Sequence, residues 1–224
     1  MTATTAPLKV VVLVSGRGSN LKAIAAQADA GALPIAITAV VSDRADAGAL
    51  DWARERGMTA VVLSPREYAD RTAYGRALGD IVAGMQPDLV VLAGFMRILS
   101  DEFVLRFLGR MLNIHPSLLP RYPGLHTHRR ALEAGDAEHG ASVHFVTPEL
   151  DGGPVVLQAR VPVLPGDDED TLAARVLRQE HVIYPRVVSW FAQGRLAFRD
   201  GAAWLDGKRL ETPLQLDGPT QETG

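Results

Sequence analysis

Apolar runs alternate with helical stretches along the first half of the chain. The first run, Lys9–Val14, is almost wholly apolar and ends at Ser15-Gly16, as is typical of a strand buried on both faces of a parallel sheet. Further strands are predicted at 35–42, 59–63, 89–93 and 111–115, and helices at 20–30, 48–56, 66–85 and 100–107. This alternation indicates right-handed βαβ units and an α/β fold with a doubly wound, mostly parallel sheet.

A different pattern begins after His115. Prolines and glycines interrupt residues 116–140, which show little strand character, and a long loop in a compact domain usually has a function. We expect the segment Ser117–Gly140 to order or close over a substrate. We also expect its sharp turns to include a cis peptide bond at Leu119-Pro120.

Regular elements return toward the C-terminus. Strands are predicted at 142–146 and 155–163, a helix that Pro185 should kink or interrupt at 171–191, and a hairpin at 196–199 and 203–205. The sequence therefore predicts one domain over residues 1–211, with a Rossmann-like N-terminal half and a mixed C-terminal extension. Residues 212–224 are predicted to form a disordered polar tail.

Composition narrows the class of protein without naming a chemistry. The 224 residues are 47% hydrophobic and 22% charged, as in ordinary globular proteins. A net charge of −3 offers polyanions no general attraction, and no apolar run approaches the roughly 20 residues that span a bilayer. We therefore expect a cytoplasmic protein that binds neither nucleic acid nor membrane. The chain has no cysteine, which excludes disulfides and thiolate chemistry.

A glycine-containing turn joins the first predicted strand to the first helix. Its sequence, Ser-Gly-Arg-Gly-Ser-Asn at 15–20, places backbone N–H groups and a helix N-terminus where an anion is favoured. Leu21 stands where a dinucleotide fingerprint has its third glycine, so a phosphate monoester fits better, although an ordinary capped turn fits equally well. Asp43, placed like the ribose acid of a NAD-binding domain, keeps a dehydrogenase as a weak alternative.

Two polar residues alternate with apolar ones at the end of the fifth predicted strand. Period two directs Asn113 and His115 to the same side, at the edge where open α/β sheets bind ligands. An amide beside an imidazole suits a developing oxyanion, although a pair that only shapes the next loop explains the pattern as well. Asp151, in a Gly-flanked turn, would favour a protonated His115 only if the fold brings the two together.

The other histidines do not form a recognisable metal site. Their spacing matches no zinc signature, and the Pro/Gly-rich setting of His126 and His128 does not direct both rings to one side. No metal is therefore expected. The residues considered were His126, His128, Asp136, Glu138, His139 and His144. The chain also has no Gly-x-Ser-x-Gly elbow, which disfavours a serine hydrolase.

Longer segments carry a resemblance to a known family. They read SGRGSN at 15–20, LAGFMRILS at 92–100, LNIHPSLLPRYPGLHTHR at 112–129, EHGASVHFVTPELDGGPV at 138–155, QEH at 179–181 and AAWLDGKRL at 202–210. On these motifs the chain resembles the folate-dependent phosphoribosylglycinamide formyltransferases of purine synthesis, from Val11 to Leu210. NIHPSLLP with DGGPV is shared by formyltransferases generally, whereas its combination with SGRGSN, GLHTHR and QEHVIYP is more specific.

The resemblance implies a formyltransferase fold, a reaction and a set of site residues. The formyl group of 10-formyltetrahydrofolate, a co-substrate, would pass to the amine of glycinamide ribonucleotide, with no metal and in a monomer or weak homodimer. The catalytic trio would be Asn113, His115 and Asp151. The phosphate would lie at Gly18, Ser19 and Asn20, and the ribose at Glu180. The folate would contact Asn113, Asp151, Arg71, Met96, Arg97, Ile98, Leu99, Thr147, Pro148, Glu149 and Leu150.

Four other functions stay open on the sequence. A formyltetrahydrofolate hydrolase would use the same trio on water but resembles a longer architecture, whereas the first strand here begins at Lys9. A methionyl-tRNA formyltransferase would need a further C-terminal domain and a basic surface. The last two are a catalytically silent folate- or nucleotide-binding module and the dehydrogenase. For Met96, Ile98 and Leu99 taken singly, core packing is the simpler role.

Overall fold

Strands and helices cover most of residues 6–216, the part of the chain that this computed structural model describes. In chain order the elements are β1 (Leu8–Val14), α1 (Ser19–Asp29), β2 (Ile35–Ser42), α2 (Gly48–Glu55), β3 (Thr59–Val62), α3 (Arg71–Gly84), β4 (Leu89–Leu92), α4 (Asp101–Arg106), β5 (Met111–His115), α5 (Thr127–Glu133), β6 (Glu138–Phe145), β7 (Val155–Pro162), α6 (Glu169–Ala192), β8 (Leu196–Arg199), β9 (Ala202–Leu205), β10 (Lys208–Arg209) and β11 (Leu214–Leu216). A short 3-10 turn, Pro65–Glu67, precedes α3.

Eight of the strands form one sheet in the order β11-β7-β6-β5-β4-β1-β2-β3. The neighbours from β3 to β5 are parallel, β6 is antiparallel to both β5 and β7, and β11 adds to β7 in parallel. The strand order reverses between β1 and β4, the place where open α/β sheets bind ligands. The predicted α/β fold, with a doubly wound, mostly parallel sheet and a mixed C-terminal part, is confirmed.

Alternate residues of β1 pack into two separate cores. Val10 and Val12 belong to the core that holds residues of α1, α2 and α6, whereas Val11 and Leu13 belong to the core that holds residues of α3 and α4. All four side chains are fully buried. Helices therefore cover both faces of the strand, which is why it reads as a continuous apolar run.

Helix α6 runs without interruption from Glu169 to Ala192, so the predicted interruption at Pro185 is wrong, while the alternative of a kink there stays a prediction. An interior proline costs a helix about 3 kcal/mol. Burying one large aliphatic side chain returns roughly 1.5–3 kcal/mol, and α6 buries several, among them Leu172, Val176 and Ile183. Tertiary packing therefore outweighs the proline. Neither α6 nor another helix in the described part of the chain combines the length and apolar character needed to cross a membrane.

The Pro-rich segment contains more regular structure than its sequence predicts. Helix α5 lies within it, and β6 begins at Glu138 instead of Ser142. The seven residues of α5 are too few to show a helical period. Gly140 interrupts the pattern that would otherwise mark the start of β6. A Cβ atom at Gly140 would lie 2.0 Å from the carbonyl oxygen of Ala159, so the strand needs glycine there to approach β7. The cis peptide bond predicted at Leu119-Pro120 is confirmed.

The C-terminal end of the described chain joins the main sheet. Leu214–Leu216 pair in parallel with residues 157–159 of β7, so the tail predicted to begin at residue 212 is wrong for this strand. The edge of β7 offers unpaired backbone groups that a short extended segment can satisfy, a pairing that composition does not reveal. Residues 217–224 of the predicted tail lie outside the described residues. The predicted hairpin is confirmed as β8 and β9, with β10 added.

One buried hydroxyl joins α6 to strands β4 and β5. The Tyr184 hydroxyl lies 2.9 Å from the carbonyl oxygens of both Leu92 and Leu112. We predict that Tyr184→Phe lowers the free energy of unfolding by about 1–3 kcal/mol, because the two buried carbonyls lose the single O–H donor that they share. Urea-induced unfolding measures the change.

The control for this prediction is Tyr68→Phe. The Tyr68 hydroxyl makes no hydrogen bond to another residue within 6–216, so its loss should change the free energy of unfolding by less than about 0.5 kcal/mol. Equal effects of the two substitutions would contradict the role given to Tyr184.

Candidate active site

A cleft of about 850 Å³ opens at the carboxyl ends of β4 and β5. Its walls come from residues within 65–74, 94–98, 113–116 and 124–128, together with Leu150, Asp151 and Glu169. A smaller cavity of about 100 Å³ adjoins it and shares Asn113 and Asp151 with it. The fold therefore brings Asn113, His115 and Asp151 to one cavity. The sequence alone does not show that these residues lie close together.

Strand β5 presents its polar residues to this cleft by alternation. Leu112 and Ile114 belong to the core that holds residues of α1 and α6, although Ile114 also reaches the cleft wall, while Asn113 and His115 line the cleft. His115 is 6% exposed, so its ring is almost fully enclosed by protein. The alternation of side chains along the strand thus directs its apolar residues to the core and its polar residues to the cleft.

Asn113 is oriented by a neutral histidine. Burial lowers the pKa of His144, so its ring is uncharged near neutral pH. Its Nδ1 lies 2.9 Å from the carbonyl oxygen of Phe145 and must carry the proton, which leaves Nε2 as an acceptor. Nε2 lies 3.0 Å from Asn113 Nδ2 and accepts one of its hydrogens. The second Nδ2–H of Asn113 is left to act as a donor.

Both ring nitrogens of His115 face acceptors. Nε2 lies 2.9 Å from the carbonyl oxygen of Tyr122, and Nδ1 lies 3.5 Å from Asp151 Oδ2. A carbonyl can only accept, so Nε2 carries a hydrogen and Nδ1 is the nitrogen left on the Asp151 side. The 3.8 Å separation of His144 Nε2 from Asp151 Oδ1 is not an ion pair, since His144 is neutral.

Asp151 lies in a tight turn that depends on a glycine two residues later. Its φ of 52° lies in the left-handed region, where Asp is among the tolerated residues. A Cβ atom at Gly153 would lie 1.9 Å from the carbonyl oxygen of Phe145, so glycine is required for the turn to approach β6. The Gly124 N–H donates to Asp151 Oδ2 at 2.8 Å. The backbone at Gly153 and the N–H of Gly124 therefore set the position of the carboxylate.

The residues predicted to bind the ribonucleotide form a separate polar group beside the turn from β1 to α1. Asn20 Nδ2 donates to Glu180 Oε2 at 2.7 Å, which joins the predicted phosphate and ribose residues across 160 positions of the chain. Burial raises the pKa of Glu180, and Asn20 Oδ1 is buried without a partner among the described residues. Gly18 caps α1 with a φ of 70° and Ser19 opens it. These residues are not part of the walls of the 850 Å³ cleft.

The residues predicted to contact folate surround the two cavities. Arg71, Met96 and Ile98 line the large cleft, and Met96 and Ile98 are 67% and 58% exposed. Such exposure argues against the core-packing explanation for these two side chains. Of the other predicted folate residues, Leu99, Thr147, Pro148 and Glu149 line the small cavity, while both cavities are lined by Arg97, Ile98, Leu150, Asn113 and Asp151.

Asp43 does not lie free for a nucleotide ribose. Its buried carboxylate accepts a hydrogen bond from Arg97 Nε at 2.9 Å. The residue that kept a dehydrogenase open on the sequence instead anchors the loop after β4.

The histidines considered as metal ligands are separated by the fold. His128 Nδ1 and His139 Nε2 share a hydrogen bond of 3.2 Å, whereas His144 lies beside Asn113. Within residues 6–216 no three His, Asp or Glu side chains are grouped so as to hold a metal ion.

Comparison with known proteins assigns the family. Residues 8–188 match the sequence profile of the family described as formyl transferase. The chain belongs to this family. It is 58% identical to the phosphoribosylglycinamide formyltransferase of Escherichia coli K12 over 203 residues, which are 91% of this chain and 96% of that protein. A solved phosphoribosylglycinamide formyltransferase from Coxiella burnetii shares 48% identity at a TM-score of 0.90, over 94% of this chain and all of the other.

A second solved structure shows how far the formyltransferase fold extends. A formyltetrahydrofolate deformylase from Pseudomonas syringae has a TM-score of 0.83 at 23% identity, with 90% of this formyltransferase and 67% of that chain covered. At this identity the likeness establishes the fold alone, so it does not separate transfer to an amine from transfer to water.

Three groups in the formyltransferase site were missed by sequence reasoning. His144 was considered only as a metal ligand, and the Tyr122 carbonyl and the Gly124 N–H were not considered at all. His144 faces Asn113 because these two residues pair in the register of β5 and β6. No sequence signal marks the backbone groups, since every residue has them. The strand register was the only signal that could have found His144.

Acid should destabilise this formyltransferase through His139. Burial lowers the pKa of His139 to about 4 from an ordinary value of 6.5. Between pH 4 and pH 6.5 the unfolded chain therefore binds a proton at this residue, whereas the folded chain does not. The free energy of unfolding therefore falls as pH decreases from 6.5 to 4. We predict that His139→Gln weakens this dependence, as measured by urea unfolding at several pH values in that range. Equal pH dependence in the two proteins would contradict the prediction.

Proposed function

We propose that this formyltransferase transfers the formyl group of 10-formyltetrahydrofolate to the amine of phosphoribosylglycinamide in purine biosynthesis, in the cytoplasm and as a monomer or weak homodimer. The observation that carries the proposal is the convergence of Asn113, His115 and Asp151 on one cleft. The products would be N-formylglycinamide ribonucleotide and tetrahydrofolate. Relatives that bear the name of this activity, and that align over nearly their whole length, support the choice of substrates.

The first step is direct attack of the neutral amine on the formyl carbon. The formyl carbon becomes tetrahedral and its oxygen becomes an oxyanion, which is stabilised by donors that are oriented before the reaction. Asn113 has one Nδ2–H left after its bond to His144, and His115 has its Nδ1 side left after its bond to Tyr122. Because His144 and the Tyr122 carbonyl hold these two groups, little reorganisation is needed as the charge develops.

Asp151 has two roles in the proposed reaction. Its carboxylate, 3.5 Å from Nδ1, supports His115 as the donor that faces an oxyanion from that side. The attacking nitrogen must also lose a proton, and the leaving nitrogen of the folate must gain one. Asp151, which is near both cavities, relays this proton through water.

The two substrates would enter from different sides of the switch in strand order. The folate occupies the large cleft and the small cavity, where the apolar side chains of Met96 and Ile98 are exposed and Arg71 offers a charge for a carboxylate. The ribonucleotide phosphate lies on the N–H groups at the start of α1, with Glu180 at the ribose. The reacting carbon lies between them, beside Asn113.

A hydrolase is the second candidate function. A deformylase shares the fold, and the same trio could activate water. The polar group formed by Asn20 and Glu180 favours the transferase, because hydrolysis needs no second organic substrate.

The two functions are separated by one assay. We expect folate product to form from 10-formyltetrahydrofolate only when phosphoribosylglycinamide is added, with the formyl carbon recovered on the amine. Absorbance of the folate product and mass spectrometry of the nucleotide measure this. Formate released at the same rate without the amine would reject the transferase and favour the hydrolase.

Substitution of the trio tests the mechanism. Asn113→Ala and His115→Ala each remove an oxyanion donor and should lower kcat by about 10²–10³-fold, and Asp151→Asn should lower it by at least about 10²-fold. For His115→Ala, which removes no predicted folate contact, binding of a folate analogue, followed by calorimetry, should change less than about threefold, since the imidazole acts on the transition state.

The matched control for Asp151→Asn is Asp206→Asn. Asp206 pairs with Arg195 outside both cavities, so its loss should leave kcat unchanged. Normal turnover in any of the three trio variants would reject the role given to that residue.

A further inference from the structure

Backbone groups of the 121–124 segment contact two of the proposed catalytic side chains at once. The Tyr122 carbonyl accepts from His115 Nε2 at 2.9 Å, and the Gly124 N–H donates to Asp151 Oδ2 at 2.8 Å. The first contact determines which nitrogen of His115 remains on the Asp151 side. Whatever fixes the path of this segment therefore also fixes the geometry between the imidazole and the carboxylate.

The side chain of Tyr122 is held at its far end. Its hydroxyl donates to Asp136 Oδ2 at 2.7 Å, and Arg121 pairs with the other carboxylate oxygen of Asp136. The Asp136 side chain is only 11% exposed. Burial alone would raise the pKa of Asp136, but the hydrogen bonds from Tyr122 and Arg121 outweigh it and lower that pKa, so the acceptor stays ionised near neutral pH.

The backbone of Tyr122 adopts a conformation that this contact supports. Its φ of 55° lies in the left-handed region, which is unfavourable for an aromatic residue unless the surroundings enforce it. The Ser117 hydroxyl donates to the Arg121 carbonyl at 2.6 Å, and Arg130 donates to the Pro123 carbonyl at 2.6 Å. Side chains on either side thus hold the neighbouring carbonyls, and the Tyr122 side chain is anchored through its own hydroxyl.

We propose that Tyr122 and Asp136 are positioning residues for His115. The bond from the Tyr122 hydroxyl to Asp136 keeps the Tyr122 carbonyl on Nε2, and this keeps Nδ1 directed toward Asp151 and the developing oxyanion. Without that bond the carbonyl shifts and the imidazole can rotate. A displacement of about 1 Å in a reacting group can cost as much as 10²-fold in rate. The inference rests on the proposed use of His115 and Asp151 in formyl transfer.

The kinetic test compares four single substitutions. Tyr122→Phe keeps the ring and removes only the hydroxyl, and Asp136→Ala removes the acceptor. Both should lower kcat about tenfold and change the KM of either substrate less than about threefold, since neither residue binds substrate. Asp136→Asn retains an oxygen that can accept from the Tyr122 hydroxyl and should keep at least about a third of kcat.

The matched control is Asp206→Ala. Asp206 accepts from Arg195 at 2.8 and 2.7 Å, much as Asp136 pairs with Arg121, but lies outside both cavities. It should leave kcat and KM unchanged. If Asp136→Ala does not fold, Tyr122→Phe alone decides, because it removes one oxygen atom and nothing else.

A spectroscopic readout separates positioning from a general loss of stability. In protein labelled with ¹⁵N-histidine and free of substrate, the Nε2–H of His115 should give a resonance that exchanges slowly with water, assigned by its absence in His115→Gln. Exchange should be at least about tenfold faster in Tyr122→Phe and unchanged in Asp206→Ala.

Each outcome decides. Slower turnover together with faster Nε2–H exchange supports the proposal. Wild-type kcat in Tyr122→Phe overturns it, as do unchanged exchange in that variant and the lack of a protected Nε2–H in the wild type. If the wild type transfers no formyl group, the proposed function fails, but the exchange measurement still shows whether Tyr122 positions His115. Transfer with unchanged exchange would leave the proposed function standing and reject the positioning role.

Discussion

The register between β5 and β6 is the constraint on which the candidate site depends. It pairs Asn113 with His144 and His115 with Ser142, at the point where the sheet changes from parallel to antiparallel. Ser142 donates to the Ser117 carbonyl at 2.6 Å and accepts from the Leu119 N–H at 3.0 Å, which directs the chain as it leaves the strand. A slip of one residue would turn the amide and the imidazole into the apolar core.

The site keeps its polar groups in place with partners that add no competing charge. His144 is neutral because burial lowers its pKa, so it orients the Asn113 amide without adding a charge beside His115. Asn20 offers Glu180 a neutral donor in a setting where burial raises the pKa of the carboxyl group. Preorganised dipoles of this kind stabilise a charge that develops during reaction at little cost in reorganisation.

The long segment after β5 contacts His115 and Asp151 through its backbone. The Tyr122 carbonyl and the Gly124 N–H reach His115 and Asp151 directly, while Asp136 acts at a distance. A segment rich in proline and glycine can therefore orient these two side chains, although its own sequence contains no obvious catalytic residue. The proposed positioning role of Tyr122 and Asp136 depends on this arrangement.

The order of strands and helices could be predicted from the sequence because it depends on local periodicity. The continuous apolar run of β1 indicated burial on both faces, and alternation in β5 directed Asn113 and His115 to one side. Motif resemblance then indicated the family and Asp151. Only the tertiary structure decided that Asp151 lies 3.5 Å from His115, that His144 orients Asn113, and that the chain continues as helix through Pro185 and as strand at β11. These features depend on register, loop path and packing between residues far apart in the chain, which no local pattern records.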